Sequence, residues 1–168
     1  MTAKPQLTFK EALAEARGKL TQFNGRSRRS EFWWCALVVF IANYVLNIIP
    51  IFGSIAALVL NLLMIPLIFR RLHDSGHSGW WCGASMIVGG IYSAILMGSL
   101  FKEFIGIADG SEPDLSQILS SLTEVFTNPL ALIFGLASFV LSIIVLVFLL
   151  QDSKVEFNKY GESPKYVE

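Results

Sequence analysis

Charged side chains are scarce in this sequence. Asp, Glu, Lys and Arg make up 15% of its 168 residues, where an average soluble domain carries about 25%. Four stretches, 32–49, 51–69, 80–101 and 130–150, contain none. Cysteine is limited to Cys35 and Cys82, with no Cys-x-x-Cys pair, so free thiols are expected rather than a disulfide framework. The alternating apolar and polar residues of barrel strands are missing, and so are low-complexity segments. These absences argue against an ordinary soluble domain, a disulfide-stapled secreted module and a β-barrel.

What is present is apolar surface. Hydrophobic residues reach 54% and mean hydropathy is +0.58. Each uncharged stretch approaches or exceeds the roughly 20 residues that cross a hydrocarbon core as a helix, and a helix satisfies its own backbone in lipid. The expected fold is an all-α integral membrane protein with four transmembrane helices in two antiparallel hairpins, plus short amphipathic surface helices. The first stretch follows about thirty mostly polar residues and has no cleavage site after it, so it is not read as a signal peptide. Residues 1–31 form a cytoplasmic leader, 32–150 the transmembrane domain and 151–168 a cytoplasmic tail.

Net charge is zero but unevenly spread. Lys4, Lys10, Arg17, Lys19, Arg26, Arg28 and Arg29 precede the first span. Arg70 and Arg71 follow the second, and Lys154, Lys159 and Lys165 follow the fourth. The 102–128 loop holds Lys102 beside Glu103, Asp109, Glu112, Asp114 and Glu124. The positive-inside rule then places both termini and the 70–79 loop in the cytoplasm and the 102–128 loop outside.

Local patterns refine this picture. In "TFKEALAEARGKL", Phe9, Ala12, Leu13, Ala16 and Leu20 share a helical face, with Thr8 and Glu11 in capping-box spacing. That helix either rests on the bilayer or bundle, or is a solvated leader. Asn43 and Asn61 fall at similar depth in the first two spans, which suits an interhelical hydrogen bond. Gly90, Ala94 and Gly98 give the third span a close-packing face. Leu115, Ile118, Leu119, Leu122 and Phe126 form the apolar side of a short helix in the outer loop. "SEFWWCA" and "SGWWCGA" open the first and third spans alike. A duplicated hairpin and independent interfacial Trp belts both account for that echo, and Trp33, Trp34, Trp80 and Trp81 are expected to anchor at the interface.

Two polar blocks face the cytoplasm: "FNGRSRRSEFWW" at 23–34 and "RRLHDSGHSGWW" at 70–81. Together with "FNKYGESP" at 157–164, they resemble the signatures of a bacterial inner-membrane family catalogued as domain of unknown function 805. The resemblance implies a multi-pass inner-membrane protein of bacteria and brings no established reaction. It marks Gly25, Arg26, Arg29, Glu31, Phe32 and Trp33, then Arg71, Leu72, His73, Asp74, Gly76, Ser78, Gly79 and Trp80. His77 departs from the basic residue usual in that family.

Arg26, Arg29, Glu31, Arg71, His73 and Asp74 are the candidate network. Arg29 with Glu31 and Arg71 with Asp74 offer opposite-charge partners, and crossed pairing, Arg26 or Arg29 to Asp74 and Arg71 to Glu31, would latch the two loops together through charge-assisted hydrogen bonds. His73, Asp74 and His77 are metal-ligand types, but Gly76 and Gly79 signal a turn where helical spacing does not hold, so no metal and no cofactor is expected. The arginines beside the Trp pairs also suit anionic headgroups. No catalytic residue is assigned, because sequence neighbours such as His73, Asp74 and Ser75 rarely meet as a triad. Nucleic acid is not an expected partner, since the basic face is small. The expected role is a non-enzymatic scaffold or accessory subunit that engages a protein partner, anionic phospholipid or further copies of itself. The competing class is a transporter or channel for a small solute.

Overall fold

A computed structural model describes residues 2–49, 51–108 and 115–167. Its described residues are helical in the order α1 (Phe9–Arg17), α2 (Arg29–Leu46), α3 (Phe52–Asp74), α4 (Trp80–Ala108), α5 (Leu115–Thr127) and α6 (Pro129–Leu150). Two short strands, β1 (Thr2–Ala3) and β2 (Tyr166–Val167), pair antiparallel. This small ladder is absent from the all-α expectation, because two-residue strands carry no readable alternation.

Among the described residues, three helices are long and apolar enough to cross a membrane: α3, the 80–98 part of α4, and α6. The stretch expected to form the first of four spans is instead the 18-residue α2, which starts at Arg29 and carries Glu31 in its first turn. Polar residues thus occupy part of its length and leave a shorter apolar segment.

The chain divides into two compact units. The first comprises residues 2–82 and 146–167, and the second 83–145. In the first unit, Thr8 and Glu11 form the expected capping box at the start of α1. Ala12 and Ala16 are buried, and α1 packs on α2, with Phe9 edge-on to Trp34 at 5.6 Å. The leader helix is therefore seated on the protein through its small residues. Helices α2 and α3 form an antiparallel hairpin whose turn includes Ile51 at φ 59°. Asn43 and Asn61 exchange two amide hydrogen bonds of 3.2 Å across that hairpin, the contact their depth predicts.

In the second unit, Gly135 lies against the Tyr92 ring and Gly89 against Ser138, so small residues bring α4 and α6 close. Helix α5 exposes Leu115, Leu119 and Phe126. The Ile118 and Leu122 side chains, and those of the loop charges Lys102, Glu103, Asp109, Glu112, Asp114 and Glu124, lie outside the described residues.

Candidate functional site

Helix α3 does not stop at residue 69, where the apolar run ends. It continues through Arg70, Arg71, Leu72, His73 and Asp74, all buried. The expectation of a cytoplasmic loop at 70–79 is corrected for residues 70–74, which continue the helix. A charged segment continues as buried helix only where other groups meet its charges, and here they do.

Asp74 is the hub. Its Oδ1 accepts from Arg26 Nε at 3.0 Å. Its Oδ2 accepts from Arg71 Nη1 at 2.6 Å and from Ser153 Oγ at 2.5 Å. Arg26 and Arg71 then spend their other donors on main-chain carbonyls. Arg26 reaches Asp74 O at 3.3 Å, Glu156 O at 3.0 Å, Gly161 O at 3.2 Å and also Lys154 O. Arg71 reaches Leu149 O at 3.1 Å and also Gln151 O. Helix α6 ends at Leu150, so Arg71 places a cation on carbonyls that the helix itself leaves unpaired.

The other carboxylate has a different partner from the one expected. Glu31 accepts from Arg70 Nη1 at 3.3 Å, both side chains being buried. Arg71, assigned to Glu31 by the crossed scheme, instead makes the local pair with Asp74 that the sequence also offered. Successive helical residues diverge by about 100°, so a single position decides which arginine faces α2. The Ser27 amide also donates to Arg70 O at 3.1 Å, tying the first polar block to α3 through the backbone.

Arg29 stands apart from this network. It is exposed and makes no ion pair among the described residues. Of the six candidate residues, Arg26, Arg71 and Asp74 are joined directly, and Glu31 is tied through Arg70. His73 lies alongside with its ring stacked on Tyr160, centroids 3.6 Å apart and planes 6° apart. Its Nδ1 is 3.2 Å from Gly25 O, and since a carbonyl only accepts, that nitrogen carries the proton in this bond.

The tail supplies what the list of candidates omits. Ser153 reaches the hub, Asn158 Nδ2 donates to His73 O at 3.0 Å, and Tyr160 covers the imidazole. The sequence carried a signal for this, the "FNKYGESP" segment, but nothing local tells which arginine its carbonyls serve. Gly76, at φ +84°, makes the turn after α3, where a side chain is strained. Gly79 lies against the Phe69 ring. His77 Nε2 meets Gln151 Oε1 at 2.8 Å, and its ring stacks on Phe148. His73, Asp74 and His77 thus face separate partners, and no group of three metal-ligating side chains occurs among the described residues.

At the edge of the site, Lys165 Nζ binds Asp152 Oδ2 at 2.5 Å. The hydrogen bond from Lys165 holds the Asp152 carboxyl below its ordinary pKa, and the same contact raises that of Lys165. Trp33, Trp34, Trp80 and Trp81 are all exposed to some degree, and Trp34 Nε1 donates to Leu7 O at 3.3 Å.

Comparison with known proteins places these features. Inner membrane protein YhaI of Escherichia coli (strain K12) is 34% identical over 67 residues, covering 35% of this chain and 57% of that protein. Inner membrane protein YhaH of the same organism is 34% identical over 71 residues, covering 35% of this chain and 59% of that protein. The chain thus spans a little over half the length of these relatives. No solved structure matches. The family model described as Protein of unknown function (DUF805) matches residues 20–162, which include Arg26, Glu31, the α3 charges and the Asn158–Gly161 turn, and the chain belongs to that family.

Proposed function

We propose that this protein is a non-enzymatic scaffold or accessory subunit of the bacterial inner membrane, with four spans in two hairpins and both termini in the cytoplasm. It engages a protein partner or anionic lipid on its inner face. The observation that carries this reading is how the buried charges are used. Both Asp74 oxygens are taken, and Arg26 and Arg71 direct their remaining described bonds to main-chain carbonyls of Asp74, of the end of α6 and of the tail. These groups hold chain segments together, which is what a scaffold requires, whereas general acid-base catalysis needs a titratable group within reach of substrate.

The inner-membrane setting is supported by the names of YhaI and YhaH and by three helices of sufficient length and apolarity. The first span, residues 32–49, is most of α2 with the residues that follow it, and the distribution of Lys and Arg supports cytoplasmic termini. Trp33, Trp34, Trp80 and Trp81 are its interfacial anchors.

Reporter fusions after residues 8, 112 and 168 test the topology, with the outer loop alone expected outside. Proteoliposomes test the role. The scaffold reading expects solute and ion flux no greater than in empty liposomes, and saturable flux would replace it with the transporter reading.

A further inference from the structure

The arginines of the two polar blocks separate into two groups. Arg26, Arg70 and Arg71 are buried and paired with carboxylates. Arg28 and Arg29 instead line an open groove of about 810 Å³ beside the first turns of α2. They are joined there by Lys4 and Lys165, with Asp152 the one carboxylate among the described lining residues, a net charge of +3. Arg28 is positioned by neutral acceptors, Pro164 O at 2.7 Å and Pro5 O at 3.0 Å, and so retains its charge. Lys165 is engaged by Asp152, while the exposed Arg29 and Lys4 side chains have no ion-pair partner among the described residues.

Farther along α2 the lining changes character. Trp33, Leu37 and Phe40 line it at helical spacing and are 38%, 46% and 72% exposed. At 1.5 Å per residue they form an apolar stripe about 10 Å long. A free phosphate would use the cations and leave the stripe bare. An apolar helix would cover the stripe and leave the cations unmatched. A molecule with an anionic head and a hydrocarbon chain satisfies both ends.

We propose that this groove binds an anionic glycerophospholipid, with its phosphate at Arg29 and Lys4 and an acyl chain along Trp33, Leu37 and Phe40. The assignment rests on reading α2 as the first span, which puts the cations at headgroup level and the stripe at acyl-chain depth. It narrows the lipid-engaging surface to one groove and removes Arg26, Arg70 and Arg71 from it.

The test is native mass spectrometry of the full chain in mild detergent, titrated with dioleoyl phosphatidylglycerol or dioleoyl phosphatidylcholine. Wild type should retain the anionic lipid preferentially. Lys4→Ala with Arg29→Ala should weaken that retention by about fivefold per cation removed, without changing the melting temperature, because both side chains are exposed. Millimolar inorganic phosphate should not displace the lipid. Equal retention of the two lipids by wild type overturns the proposal without any variant, as does full displacement by phosphate or unchanged retention in the double variant. The topology reporters judge the placement of α2 separately, so correct topology with no headgroup preference overturns the lipid site alone.

Discussion

The His73 imidazole lies flat on the Tyr160 ring, with 3.6 Å between centroids and 6° between planes. The two residues come from the end of α3 and from the tail, and Asn158 fastens the same turn to His73 O. Tyr160→Ala removes the stacked face and leaves the backbone bonds from Arg26 in place. Aromatic stacking contributes about 0.5–1.5 kcal/mol beyond burial, so the tail should loosen without global unfolding. Limited proteolysis should cut within residues 151–168 faster in the variant, by a factor of up to about ten. Equal cleavage rates would show that the stack does not hold the tail.

Asp74→Ala acts at the hub. It leaves Arg26 and Arg71 buried without their shared carboxylate, and removing one partner of a buried ion pair costs about 3–5 kcal/mol. Thermal melting in detergent should fall markedly. Arg71→Lys should also destabilise, because one ammonium cannot reproduce the fork that serves Asp74, Leu149 O and Gln151 O. Unchanged melting of Asp74→Ala would remove the latch from the account.

Which parts of this arrangement could be read from the sequence follows from how local each signal is. The Thr8–Glu11 capping box depends on residues three apart, and the apolar runs announce helices by length alone. The Asn43–Asn61 bond needed only depth counted from a short hairpin. The pairing of Glu31 needed more. Whether Arg70 or Arg71 faces α2 turns on one helical position, and the apolar pattern ends just before it. The tail was harder still, because Lys154 O, Glu156 O and Gly161 O are main-chain acceptors more than 120 residues from Arg26. A carbonyl has no residue-type signature. Arg29, grouped with the network by its position beside Glu31, lies at the groove because consecutive side chains on α2 diverge.

The Asp152–Lys165 pair sets a pH dependence with a definite sign. The folded-state pKa of Asp152 lies below its ordinary value of 3.8, mainly through the Lys165 hydrogen bond, with Arg29 adding a smaller effect of the same sign. The stabilisation is therefore present above the unfolded pKa and is lost as pH falls through the lower folded value. The Lys165 value lies above its ordinary 10.5, so the contribution is fully present below that point and is lost as pH rises through the folded value. Asp152→Asn should lower the melting temperature slightly at neutral pH, and the difference from wild type should shrink on acidification below about pH 4. A difference that stays constant through that range would mean that the lost stability comes from packing and not from the charge.

The reciprocal Asn43–Asn61 bond tests whether a polar pair on α2 and α3 glues the hairpin. Each amide both donates and accepts at 3.2 Å, and each residue has a further bond nearby: Asn61 Nδ2 donates to Ala57 O at 2.8 Å, and Asn43 O accepts from Asn47 Nδ2 at 2.7 Å. Asn43→Leu leaves the Asn61 amide its bond to Ala57 O, whereas Asn61→Leu leaves the Asn43 side-chain amide without a described partner. The cost of each single change therefore mixes the lost cross-hairpin bond with an exposed or unsatisfied amide. A double-mutant cycle of Asn43→Leu and Asn61→Leu separates the two, because the double variant has no orphan at either position. Interhelical hydrogen bonds in membranes couple by about 0.6 kcal/mol on average and by up to about 1.7 kcal/mol, and a doubly bonded amide pair should fall in the upper half of that range. The coupling should be read from unfolding in detergent micelles. Additive costs would show that the two amides do not couple across the hairpin and that apolar packing alone holds α2 against α3.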